Sequence, residues 1–101
     1  MRIYISGPIT NDPNYLSNFD RAEQYLTDKG YEVVNPAKVN ENLPKTFTHD
    51  EYMEVSIAEL KCCDAIYLLK GWEYSKGAKA EAEYAIFNNY KIYSEGKCGE
   101  L

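Results

Sequence analysis

Apolar residues along this chain alternate between short dense runs and wider stripes. Met1 to Ile5 (MRIYI) reads as a strand that Ser6-Gly7-Pro8 stops with turn-forming residues. Asn11-Asp12-Pro13-Asn14 looks like a helix start. Leu16, Phe19, Ala22 and Leu26 then recur at three- and four-residue steps, which predicts an amphipathic helix over Tyr15 to Lys29, ended by Gly30. Tyr31 to Asn35 (YEVVN) is β-branched and closed by Pro36, so a second strand and a loop through Pro44 are expected. Thr48-His49-Asp50-Glu51 supplies capping groups for a second helix, with Met53, Ile57 and Leu60 as its buried stripe before Cys62-Cys63. Ala65 to Leu69 (AIYLL) is apolar throughout, as in a strand covered on both faces, and Lys70 to Tyr74 forms a loop off its C-terminal end. A third helix opens near Ser75 with an apolar face of Ala78, Ala82, Ala85 and Ile86, and Lys91-Ile92-Tyr93 is a brief last strand. The segment from Ser94 to Leu101 is expected to be loose.

Strands alternating with helices imply parallel pairing through right-handed crossovers. The expected fold is α/β, a small doubly wound sheet of the Rossmann or flavodoxin-like kind, with about four strands and about three helices. Such sheets bind ligands beyond the carboxyl ends of their strands, near the point where the strand order reverses. The loops to watch are therefore Ser6 to Asn14, Asn35 onward and Lys70 to Ser75.

A length of 101 residues suits a single domain, residues 1–101, and ten tyrosines argue against a disordered chain. The net charge of -5, with Lys and Arg scattered, disfavours both duplex nucleic acid and an anionic membrane as partners. Neither a signal-peptide apolar stretch nor a run approaching the ~20 residues of a membrane span is visible, so a cytoplasmic protein is expected. Cys62, Cys63 and Cys98 form no CxxC pair and are read as reduced, the adjacent two as buried thiols. The single His49 is read as a helix-start or surface residue, and no metal is expected.

Three segments can carry chemistry. Gly71 to Glu81 (GWEYSKGAKAE) follows a buried strand. Ser75 can cap the helix, Gly77 lets a ligand approach the backbone, and the free amides of the first turn suit an anion such as phosphate. Glu81 shares the helix side of Gly77 and Ala78 and can reach the cleft, although a helix glutamate more often faces solvent. In Ile3 to Pro8, Tyr4 is either core or a phenol that orients a neighbouring carboxylate, while Ser6 and Gly7 bring a hydroxyl and a backbone N–H to a ligand. Asp64 either caps and salt-bridges or shuttles a proton. Trp72 and Tyr74 either pack or stack on a base.

The order of YISGPI (Tyr4 to Ile9), GYEVVNP (Gly30 to Pro36), CDAIYLL (Cys63 to Leu69) and GWExSxGAxxE (Gly71 to Glu81) resembles the nucleoside 2-deoxyribosyltransferase-like superfamily, and especially its DUF4406 branch. The resemblance implies a glutamate nucleophile at Glu81 that attacks the anomeric carbon, an orienting tyrosine at Tyr4, and an aspartate at Asp64 that assists the departing base. It also implies a nucleoside or nucleotide as small-molecule partner, with no cofactor. Members acting on free nucleosides carry an acidic residue where this chain has Ser75, whereas those hydrolysing deoxynucleoside 5'-monophosphates carry a phosphate-contacting serine. Ser75 therefore tilts the expectation toward a monophosphate, with Pro8 and Thr10 standing where those hydrolases place polar and basic phosphate ligands. The alternatives are a non-catalytic nucleotide-binding or sensor module on the same fold and an interaction protein with no ligand. Related enzymes close their sites with a neighbouring subunit. A homodimer or larger homo-oligomer is therefore expected, with some of Tyr52, Tyr84, Tyr90 and Tyr93 at the contact.

Overall fold

The computed structural model describes residues 1–10 and 12–96; Asn11 at the expected helix start, Cys98 and the last five residues of the segment expected to be loose lie outside them. Four strands, β1 (Arg2–Ser6), β2 (Glu32–Val34), β3 (Ala65–Leu68) and β4 (Lys91–Ser94), form one parallel sheet in the order β2-β1-β3-β4. The chain steps from β1 out to β2 and returns to the other side of β1 as β3. The strand order therefore reverses between β1 and β3, where Ser6 lies opposite Leu68.

The described helices are α1 (Tyr15–Asp28), α2 (Pro36–Asn40), α3 (His49–Lys61) and α4 (Lys76–Phe87), with a 3-10 turn at Trp72–Tyr74. Alternation along the strands divides the core in two. Ile3, Ile5, Ala65, Tyr67 and Leu69 pack with Phe19, Ala22 and Leu26 of α1. Tyr4, Ile66 and Leu68 pack with Leu60 of α3 and with Ala82 and Ala85 of α4. The result is the expected doubly wound α/β architecture. No described helix is long and apolar enough to cross a membrane.

The segment expected as a loop after Pro36 instead begins with α2. Asn35 Oδ1 accepts from the backbone N–H of Ala37 (3.1 Å) and Lys38 (3.4 Å), and Pro36 occupies the first turn, where a missing N–H costs nothing. The proline that ends β2 therefore also starts a helix. Asn35 Nδ2 donates to Glu23 (3.0 Å) and Asp20 (3.3 Å) of α1, and Lys38 pairs with Glu23 at 3.1 Å. These contacts fasten α2 to α1 as one wall of the cleft described below.

Two core expectations change. Ile86 is 60% exposed, because the inward row of α4 runs Ala78, Glu81, Ala82 and Ala85, and Ile86 lies ~100° further round the helix. On α3 the fully buried residues are Ser56 and Leu60, with Met53 and Ile57 only partly covered. Cys63 is buried, as expected, while Cys62 is exposed; burial pushes the Cys63 thiol up to about 11, which keeps it protonated.

Candidate functional site

Tyr4 and Ser6 are two residues apart on β1 and so point to the same face of the sheet, toward α4. Glu81, the one charged residue in the inward row of α4, meets both. The Tyr4 hydroxyl donates to Glu81 Oε2 and the Ser6 hydroxyl to Oε1, each at 2.6 Å. Tyr4 and Ser6 are fully buried and Glu81 is 6% exposed. Ser56 on α3, also buried, acts on the Tyr4 phenol from the other side and lowers its pKa against the larger effect of burial.

Burial raises the Glu81 carboxyl above its usual range, and the hydrogen bonds from Ser6 and Tyr4 pull in the opposite direction. The Tyr4 phenol is pushed well up by burial, by the Glu81 charge and by its own hydrogen bond, so it stays a donor. The pair is thus a carboxylate oriented by two O–H groups whose protons do not leave.

Glu81 borders a cavity of about 310 Å³ beyond the carboxyl ends of β1 and β2, within the size range of small-molecule sites. Tyr4 and Gly7 line it from β1, Asn40 and Glu41 from the end of α2, His49, Met53 and Ser56 from α3, and Ser75 and Gly77 from the start of α4. Ser75 Oγ accepts from the Ala78 N–H at 3.2 Å as the expected cap, which leaves its own O–H free to donate.

Of the expected site residues, the structure brings Tyr4, Gly7, Ser75, Gly77 and Glu81 to one cavity. Ser6 lies behind it, touching Glu81 rather than open space. Pro8 and Trp72 do not line it: Pro8 packs beside Gly71, and Trp72 is partly buried against the α3 and α4 core. Tyr74 is 92% exposed.

Asp64 is displaced furthest. It precedes β3, and its Oδ2 accepts from the Arg2 backbone N–H at 3.0 Å, at the amino edge of the sheet. Four residues of strand separate it from Leu68, ~13 Å at the usual rise. That placement removes the physical basis for the proton-donor role expected of it.

Sequence reasoning missed His49 and Ser56, although a signal was present. His49, Met53, Ser56 and Leu60 follow the i, i+4, i+7, i+11 spacing of one helix face. The tyrosines expected at a contact between copies also make contacts within the chain. Tyr52 lines the cavity and donates to the Pro44 carbonyl, Tyr84 and Tyr90 form an edge-on pair, and Tyr93 packs on the α1 core.

A second carboxyl adjoins the site. Glu59, one turn beyond Ser56 on α3, has a shielded Oε1 with no hydrogen-bond partner, and burial followed by the Glu81 charge pushes it up to about 7. Its folded state therefore favours the neutral acid, and the sign follows. The stability it contributes is complete below the usual 4.5 and is lost as pH rises to about 7. Glu59→Gln should leave the melting temperature unchanged near pH 4 and raise it at pH 8, by ~1 kcal/mol of stability after allowance for solvent screening of a half-buried group. Melts at the two pH values test this; equal effects at both would refute it.

The fold defines a class: this is a nucleoside 2-deoxyribosyltransferase-like fold. It matches a solved 2-deoxyribosyltransferase from the psychrotolerant bacterium Bacillus psychrosaccharolyticus with a TM-score of 0.74 at 20% identity, over 100% of this chain and 76% of that chain. The chain belongs to the family described as Domain of unknown function (DUF4406), which matches residues 1–93. A search of the curated proteins gives no match.

Proposed function

We propose that the protein cleaves or transfers the N-glycosidic bond of a deoxynucleoside 5'-monophosphate or nucleoside, with Glu81 as nucleophile. The observation that carries this reading is a buried carboxylate held by two hydroxyl donors at the edge of a nucleoside-sized cavity. An ionised Glu81 oxygen attacks the anomeric carbon as the bond to the base nitrogen breaks, and the bonding pair leaves with the base, which takes up a proton from water. The resulting glycosyl ester is opened by water or by a second base, and two inversions give net retention. Tyr4 and Ser6 hold the attacking oxygens in place throughout. The related structure named above supports the reading at the level of fold.

A second reading, a nucleotide-binding module without turnover, is favoured by one observation: Asp64 stands at the opposite sheet edge, so the cavity lacks the expected donor to the leaving base. Incubation with deoxynucleosides and their 5'-monophosphates, followed by chromatography for free base, separates the two. Base release supports the enzyme. Thermal stabilisation by the same compounds with no base released supports the binding module, and neither effect overturns both.

A further inference from the structure

We infer that His49 binds the anionic 5'-group of the substrate and selects nucleoside 5'-monophosphates over free nucleosides, an inference that rests on the function proposed above. The first turn of α3 is held by a reciprocal cap: Thr48 Oγ accepts from the Glu51 N–H at 3.2 Å, and Glu51 Oε1 accepts from the Thr48 N–H at 2.8 Å. This fixes the position from which His49, itself exposed, borders the cavity. Its Cε1 lies 3.9 Å from the point a Cβ on Gly77 would occupy. Cε1 sits between the two ring nitrogens, so the nitrogen-bearing edge of the imidazole faces the start of α4 across the gap that Gly77 leaves.

Three further facts make this the place for a phosphate. Ser75, on the same wall, has its hydroxyl proton free to donate. Gly77 is one helical turn from Glu81, ~6 Å along the axis, comparable to the span from the anomeric carbon to the 5'-phosphorus of a nucleotide. Finally, the described side chains lining the cavity include Glu41 and Glu81 but neither lysine nor arginine, so His49 is the one lining group able to carry positive charge.

Affinities of a deoxynucleoside 5'-monophosphate and of the matching nucleoside, measured by calorimetry for wild type, His49→Gln and His49→Arg, test the inference. Wild type should prefer the monophosphate by ~10-fold or more, as a hydrogen bond to a charged group provides. His49→Gln should lose that preference while binding the nucleoside as before, and His49→Arg should keep it. A preference that persists in His49→Gln, or a wild type that binds both ligands equally, overturns the role of His49 and leaves the proposed function standing. Binding of neither ligand by the wild type removes the proposed function and this inference with it.

Discussion

Glu81→Gln should abolish base release, by at least ~10³-fold, while the protein stays folded and becomes more stable at alkaline pH. The activity loss follows from chemistry: an amide cannot form the glycosyl ester that the carboxylate forms. The fold survives because glutamine is isosteric and the two hydroxyls facing it, Tyr4 and Ser6, can each donate or accept. The stability gain follows from burial. A carboxyl whose folded pKa is raised contributes stability that is complete below its unfolded value and lost as pH rises through the folded value, so the wild type is weakest where Glu81 is ionised. Glutamine has no such loss. The same ionisation governs catalysis, because only the charged carboxylate attacks; wild-type activity should rise with pH through a range above that of an ordinary glutamate. Kinetics of base release and thermal melts from pH 5 to 9 read both effects. Retained activity in the variant, or a variant less stable than wild type at pH 9, would contradict this account. On the proposed function, the site trades stability for a primed nucleophile.

Gly7→Ala should destabilise the protein by ~1–3 kcal/mol, the usual cost of overpacking a filled core. At the end of β1 a Cβ on residue 7 would stand 2.7 Å from Leu69 Cβ and 2.9 Å from its Cδ1. The clash is with a Cβ, which moves only with its backbone, and that backbone is tied to β1 by the Leu69 N–H donating to the Ser6 carbonyl at 2.8 Å. Relief therefore displaces Ser6 and loosens its grip on Glu81. A fall in melting temperature of ~5 °C or more is expected for a chain of this size. Gly77→Ala provides the contrast. There the nearest atom is Met53 Sδ at 3.2 Å, the movable part of a flexible side chain, and the position is helical, where alanine is favoured. Its melting temperature should stay level or rise. Equal destabilisation by the two substitutions would refute the packing argument.

The strands were legible in the sequence as short dense apolar runs such as Ile3-Tyr4-Ile5, and α1, α3 and α4 by apolar spacing of three to four, as along Phe19, Ala22 and Leu26. α2 was written there too, in Asn35 as a cap followed by Pro36, but the proline was read only as a strand breaker. Asp64 carries a similar lesson. A residue that enters a strand stands at its amino end, whereas ligands of a parallel sheet gather at the carboxyl ends, so chain direction alone argued against it.

By itself, the sequence determined most of the residues that face the core, Ile86 excepted, and which lie near the ends of strands, because such facts depend on neighbours a few positions away. It did not determine that Tyr4 and Glu81, 77 positions apart, would meet at 2.6 Å, nor that Ser6 would turn to the carboxylate rather than to a ligand. It also gave no sign that His49, an exposed residue at the start of α3 as expected, borders the cavity. Those outcomes depend on the pairing of β1 with β3 and on the position at which α4 crosses them. Contacts of that kind are made only when distant segments pack, and no local pattern encodes the distance between them.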